Sequence, residues 1–328
     1  MRVAIPDDYQ DIVHTLYCYR MLQGHEVIRY RDPAADLDDF VSRLKDADAI
    51  VPIRERSRFP RELIEQLPQL KLISQTGRST RHIDVGACTE RGIVVSAGTH
   101  ASPIAPAEMT WALILASRRH VPVEVQRMQR GEWPCTLSHR LSGSTLGIFG
   151  LGLIGTLVAR IGAAFGMHVL VLGQEASARR AREAGYAVAG GKAELFERSD
   201  VLCLLMRMTS ETRGLVTRED LDRMKPTALL VNTARADLIQ PGALVDALRA
   251  GRPGFAAMDV YENEPVLGGN HPLLWMPNVL CTHHVAWAEH DTFELYFGEA
   301  FENLAAFAHG EPRNVVNPES LARRSHGG

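Results

Sequence analysis

The sequence predicts an α/β protein built from two doubly wound parallel-sheet domains. Three observations carry that expectation. Short β-branched runs alternate with helical stretches along almost the whole chain, the pattern of βαβ units and a mostly parallel sheet. The alternation falls into two series, joined by one helical segment with an apolar face. And 328 residues are too many for one ordinary hydrophobic core.

In the first series the strand candidates are 3–5, 26–28, 48–52, 70–74 and 94–95. Helical segments at 37–45 and 61–67 lie between them, and Pro68 stops the second because it has no amide hydrogen to continue a helix. Residues 106–119 read as the joining helix, with Ala107, Trp111 and Leu115 on one face. The second series starts with a strand at 145–150 and continues through 169–172, 201–205, 228–232, 255–259 and 279–282. A long helix near 292–309 follows and is broken by Gly310-Glu311-Pro312. The sequence has no internal repeat and no low-complexity tract; only residues 323–328 read as a frayed end.

A hydrophobic fraction of 45% with 23% charged residues excludes disordered and fibrous chains. Thirty-six basic and 39 acidic residues give a net charge of −3, so neither nucleic acid nor an anionic membrane is an expected partner. No uncharged apolar run is long enough to span a bilayer, and Met1-Arg2-Val3-Ala4-Ile5-Pro6 reads as strand and turn rather than as a secretory leader. Cys18, Cys88, Cys135, Cys203 and Cys281 are scattered without C-x-x-C spacing. Free thiols in a reducing cytoplasm are therefore expected, rather than a disulfide framework.

The sharpest motif is the run from Thr145 to Gly155, a strand entering G-x-G-x-x-G and then a helix. Gly150 permits the tight turn, Gly152 lets a pyrophosphate approach the backbone, and Gly155 lets helix and strand pack closely. Leu153 and Ile154 open the helix, whose free amides and positive dipole end suit phosphates. A dinucleotide is the expected ligand. Its usual acidic partner, at the end of the next strand, is missing: that strand ends in Gly173-Gln174-Glu175. NAD is the expected cofactor, with NADP left open.

Three later strand ends each deliver polar groups: "VNTAR" at 231–235, "MDVYENEP" at 258–265 and "NVLCTHH" at 278–284. Ligands of open α/β sheets bind beyond the carboxyl ends of the strands, so these groups should converge. Taken singly, Arg235, Glu262 and Glu264 read as ordinary solvated charges. His283 and His284, with Cys281 and His290 nearby, suggest a metal. Adjacent strand residues point to opposite faces, however, and no metal site is expected.

In this combination the chain resembles the D-2-hydroxyacid dehydrogenases, a family that includes phosphoglycerate dehydrogenase and glyoxylate/hydroxypyruvate reductase. The resemblance spans about residues 70–318 and also takes in "HPLL" at 271–274 and "NVVNPE" at 314–319. It implies that Arg235, Glu264 and His284 are catalytic, Glu264 being the glutamate that stands directly before Pro265. It implies cofactor contacts at Gly150, Gly152, Leu153, Ile154, Gly155, Gly173, Gln174, Thr233, Ala234, Asp259 and His284, with Asp259 helping to hold the nicotinamide carboxamide. It places the substrate carboxylate on the loop Gln75-Thr76-Gly77-Arg78-Ser79, with Gly77, Arg78, Ser79, Arg235 and His284 as substrate contacts. Glu108 matches the family's linker helix.

The chain departs from the family's pattern at His283 (usually proline), Ala236 (usually glycine), Leu205 (often polar) and Arg78 (usually small). The resemblance also implies a topology. A Rossmann nucleotide domain, 100–290, would be inserted in a flavodoxin-like substrate domain, 1–99 plus 291–328, with homodimers formed through the nucleotide domain. The implied reaction moves a hydride between a nicotinamide dinucleotide and a small D-2-hydroxy or 2-oxo acid. Arg235 would pair with the carboxylate and polarise the carbonyl. His284 would give the oxygen a proton, and Glu264 would favour the imidazolium and fix its tautomer.

A nicotinamide-sensing corepressor-like binding protein is the alternative on the same fold; the intact Arg235, Glu264 and His284 set favours an enzyme. A formate-type dehydrogenase fits less well, because a histidine–glutamate pair suits proton transfer to an oxygen. The particular acid is left open. If Arg54, Arg56 or Arg78 faces the substrate, a dicarboxylate or phosphorylated acid becomes attractive; otherwise these are solvated arginines.

Overall fold

Five strands of the first unit pair in parallel: β1 (Arg2–Ile5), β2 (Glu26–Arg29), β3 (Ala49–Ile50), β4 (Leu72–Gln75) and β5 (Val94–Ala97). The structure, a computed structural model, describes residues 1–324 and divides into two units, Met1–Ala101 with Glu289–Gly328, and Ser102–Ala288.

In the first unit the strand order is β2-β1-β3-β4-β5, the flavodoxin-like order, with its reversal between β1 and β3. The central strands are nearly all apolar because both faces of the sheet are covered. Phe40, Leu44, Phe59, Leu63 and Leu67 pack on one face against Ile50, Ile73 and Val95. The helix His290–Ala308 packs against β4, where Ser74 donates a 2.7 Å hydrogen bond to the Ala300 carbonyl. Past this helix the chain returns along β5: Ala97 donates to the Asn314 carbonyl, and Asn317 accepts from the Val95 amide.

β3 is shorter than the expected 48–52. Pro52 brings no amide hydrogen to the ladder, although Val51 still donates to the Ala4 carbonyl. The helix expected at 61–67 is α-helical only over Arg61–Ile64; Gln66 and Leu67 then donate to residues three back, so the last turn is tightened. The long helix starts at His290, two residues early, because Glu289 caps it by accepting from the Asp291 and Thr292 amides.

The second unit holds seven parallel strands: β6 (Thr145–Phe149), β7 (His168–Leu172), β8 (Ala187–Val188), β9 (Val201–Leu204), β10 (Leu229–Asn232), β11 (Phe255–Met258) and β12 (Val279–Cys281). Their order is β12-β11-β10-β9-β6-β7-β8, the Rossmann order with a seventh strand, reversing between β6 and β9. The edge strand β8 was not expected; two residues paired to β7 carry no periodicity. The joining helix spans Ile104–Arg118 and buries Ala107, Thr110, Trp111 and Ile114. Leu115, expected on that face, is exposed, since the buried stripe runs through its neighbour Ile114. At the chain's end, residues 323 and 324 close a helix, Glu319–Arg324, rather than fraying; 325–328 lie outside the described residues.

Candidate active site

Between β6 and the helix Leu153–Ala164, each glycine answers a different constraint. Gly150 has φ +100° and donates 2.8 Å to the Leu172 carbonyl; a Cβ there would meet the backbone of Met206 at 3.0 Å. A Cβ on Gly155 would run into the Gly150 carbonyl, so glycine is what lets the helix approach the turn. Gly152 caps the helix and has nothing within 4 Å of where its Cβ would stand. That open cradle at a helix N-terminus fits a pyrophosphate, and a side chain there would fill it. Leu153 is exposed beside it, and Ile154 packs into the core beneath.

At the end of β7, the position without a carboxylate is crowded by Ser177. A Cβ on Gly173 would stand 2.8 Å from Ser177 Cβ and 2.9 Å from its Oγ. Gln174 caps the next helix, Glu175–Glu183, and is exposed. Glu175 pairs with Arg182 at 3.0 Å in solvent.

β10, β11 and β12 end side by side, Asn232 opposite Met258 and Met258 opposite Cys281. After β10, buried Asn232 closes a turn by accepting from the Ala234 amide and donating to the Arg235 carbonyl. Arg235 is half-buried and donates from Nη1 to the Ala234 carbonyl at 2.7 Å. Thr233 is tied to the joining helix through Thr110, hydroxyl to hydroxyl at 2.8 Å.

After β11, Asp259 is wholly buried. Its carboxylate accepts from Thr282 Oγ1 (2.6 Å), the Val285 amide (2.9 Å) and the Ala286 amide (2.8 Å). These bonds clamp the turn that carries His284, whose backbone sits in the left-handed region at φ +53°. His284 Nδ1 lies 2.6 Å from Glu264 Oε2, and Glu264 Oε1 accepts from the Tyr261 amide at 2.9 Å. Glu262 faces a different histidine, His271, whose Nε2 is 3.1 Å away. His283 is exposed. The structure thus brings Glu264 to His284, and Asp259 to the turn that carries His284. Sequence reasoning missed the clamping bonds of Asp259 and the Glu262–His271 pair; the only signal for the latter was the "HPLL" run.

In the first unit, the loop after β4 is bound to the loop after β3. Thr76 Oγ1 accepts from the Arg54 amide and donates to the Pro52 carbonyl, both at 2.7 Å. Gln75 donates to the Arg54 and Thr76 carbonyls, and its Oε1 lies 3.2 Å from His82 Nε2. Ser79 donates to Glu55 at 2.5 Å. Gly77 has φ +78°, and a Cβ on it would run into the Arg54 guanidinium. Arg78 is exposed. Arg56 is a brace: it donates to the Asp7 carbonyl and Gln10, and its guanidinium stands 4.9 Å from the centre of the Tyr9 ring. Burial pushes the His82 imidazole down to about 4, against a smaller opposing pull from Glu55.

No helix among the described residues is long and apolar enough to cross a membrane, and no group of three His, Cys, Asp or Glu side chains there is placed to hold a metal ion. The family model for the NAD binding domain of the D-isomer specific 2-hydroxyacid dehydrogenases matches residues 111–286. The chain is 38% identical to a glyoxylate reductase of Aeropyrum pernix over 310 residues, 91% of each protein. Among solved structures, an oxidoreductase of Ralstonia solanacearum is 48% identical with a TM-score of 0.94, covering 98% of each chain. A phosphoglycerate oxidoreductase of Vibrio cholerae is also 48% identical, with a TM-score of 0.92 over 94% of this chain and 99% of that one. With these relatives and the two sheet orders above, this chain belongs to the D-isomer specific 2-hydroxyacid dehydrogenase family.

Proposed function

We propose that Arg235, Glu264 and His284 carry out the family's reaction in this chain, oxidoreduction at the CH–OH carbon of a small 2-hydroxy acid with the 2-oxo acid as its counterpart. NAD, when bound, supplies or accepts the hydride. His284 engages Glu264 through Nδ1 and keeps Nε2 for the substrate oxygen, donating a proton in reduction and taking one in oxidation. Glu264, itself fixed by the Tyr261 amide, holds the ring in one orientation and favours the tautomer protonated on Nδ1. Arg235 offers a planar fork to the substrate carboxylate and positive charge to the carbonyl oxygen as negative charge develops there. The observation that carries this reading is the 2.6 Å Glu264–His284 pair, standing one strand from Arg235 in a sheet that also holds the glycine cradle.

Gly150, Gly152, Leu153, Ile154 and Gly155 are the residues we assign to the cofactor's pyrophosphate. Gly173 and Gln174 would meet the adenosine ribose, and Thr233, Ala234 and Asp259 the nicotinamide side. Without a carboxylate at Gly173 to repel a 2′-phosphate, both NAD and NADP should serve within about tenfold of each other, NAD being favoured.

In the first unit, Gly77, Arg78 and Ser79 present a backbone loop suited to a carboxylate, with the Arg54 guanidinium packed against Gly77. That supports small, charged or polar acids over bulky apolar ones, in keeping with the names of the relatives. We further infer a homodimer in the reducing cytoplasm. The helix Val121–Gln129 has no buried residue and leaves Val121, Val125 and Met128 exposed in the single chain, as a subunit interface would require.

A nicotinamide absorbance assay with glyoxylate, hydroxypyruvate, pyruvate, oxaloacetate and bulky 2-oxo acids tests the reading. Turnover should be found, and be best with the small acids. Cofactor binding without turnover on any of them would replace the enzyme with a nicotinamide-sensing binding protein.

A further inference from the structure

Three arginines lie on the helix Glu175–Glu183, and two of them have acidic partners: Arg179 with Glu183 at 3.8 Å and Arg182 with Glu175 at 3.0 Å. Arg180 is held differently. Its Nε and Nη2 both donate to the Leu151 carbonyl, at 2.8 and 2.5 Å, and Nη2 also lies 3.4 Å from Ser177 Oγ. Leu151 is buried and is the residue between Gly150 and Gly152, so the guanidinium is fastened to the middle of the glycine-rich turn.

Two consequences follow from the chemistry of the peptide group. The Leu151 carbonyl and the Gly152 amide belong to one planar trans peptide, so they point in opposite directions. Fastening the oxygen toward Arg180 aims the Gly152 N–H the other way. That plane turns on ψ of Leu151 and φ of Gly152, and the glycine leaves it little restrained on one side. A cation on the carbonyl also polarises the same peptide and makes its N–H a stronger donor to an anion. Arg180 therefore fastens, from its helix, a loop whose open side fits a pyrophosphate.

We propose that Arg180 is a positioning residue for the dinucleotide: by chelating the Leu151 carbonyl it orients and strengthens the Gly152 amide that receives the pyrophosphate. This rests on the assignment of Gly150–Gly155 as the pyrophosphate cradle. It acts on a group common to NAD and NADP, and so differs from recognition of a 2′-phosphate. Ser177, also bonded to this guanidinium, fills the space where an acidic residue at 173 would begin.

Calorimetric binding of ADP-ribose and of 2′-phospho-ADP-ribose, neither of which can transfer hydride, tests this on the wild type, Arg180→Ala, Arg180→Gln and Arg180→Lys, with circular dichroism confirming the fold. Arg180→Ala should weaken both ligands equally, by about tenfold. Arg180→Lys should restore part of the loss, because it keeps a charged donor, and Arg180→Gln less. In turnover the cofactor KM should rise while kcat at saturating cofactor holds. A loss confined to the 2′-phospho ligand would overturn the proposal and make Arg180 a 2′-phosphate reader. Unchanged affinity for both would make it an ordinary helix-surface arginine. Failure of the wild type to bind ADP-ribose at all would instead remove the cradle assignment, a result separable from either.

Discussion

His283 and His284 follow one another after β12, yet their surroundings differ. His284 is partly buried against Glu264, and His283 is exposed. His284→Ala should therefore lower kcat by roughly 10²–10⁴-fold, the worth of a positioned acid–base group, with cofactor affinity little changed. His283→Ala should keep most activity, and the reverse pattern in steady-state kinetics would move the acid–base role to the other ring. Arg235→Lys should cost at least about tenfold in kcat/KM on the best substrate, since an ammonium cannot reproduce the fork; near-normal values would take Arg235 out of the mechanism. At Gly173 the structure changes how the cofactor test must be built. An aspartate there crowds Ser177, so Gly173→Asp alone perturbs the helix start as well as the ribose site. Gly173→Asp with Ser177→Gly relieves that contact, and should raise the NAD-to-NADP ratio of kcat/KM by about tenfold or more. An unchanged ratio would mean that the ribose does not lie beside residue 173.

Elements with strong patterns were legible. The strand interiors read correctly because a doubly covered parallel sheet needs unbroken apolar runs, and the glycine turn because its spacing answers sharp steric limits at Gly150 and Gly155. What stayed hidden is what packing between loops decides. β8 is too short for periodicity, and the pairing of Glu262 with His271 bridges nine positions that no local rule links. Asp259 is the clearest case. The resemblance marked it as a cofactor residue, whereas the structure also shows its carboxylate holding the Thr282–Ala286 turn with three hydrogen bonds. Asp259→Asn would turn an amide donor toward groups that are themselves donors. It should lower stability by about 2–3 kcal/mol and depress kcat through a loosened His284 turn. Thermal melting and kcat measured on the same preparation check this, and a variant unchanged in both would show that the clamp is dispensable.

At the scale of the whole molecule, stability against acid depends in part on groups that burial keeps uncharged. His82 is such a group. Its Nε2 faces Gln75 Oε1, its Nδ1 is buried with no hydrogen-bond partner, and burial holds its pKa near 4 rather than 6.5. The sign follows from proton counting. Between pH 6.5 and pH 4 the unfolded chain binds a proton here that the folded chain refuses, so stability rises with pH across that window. The contribution is fully present above about pH 6.5, is lost as pH falls toward 4, and changes no further below it. A displacement of that size corresponds to roughly 3 kcal/mol in all, most of it already lost by about pH 4.5. Asp7, whose carboxyl is raised by burial, works in the opposite sense and keeps its own contribution distinguishable. His82→Gln keeps an amide to donate to Gln75 but removes the titrating ring. Its urea midpoint should therefore fall less between pH 7.5 and pH 4.5 than that of the wild type, the free-energy gap being roughly 2–3 kcal/mol. Parallel losses of stability in the two proteins would show that His82 takes up its proton in the folded state as readily as in the unfolded chain, and that burial does not hold the ring neutral.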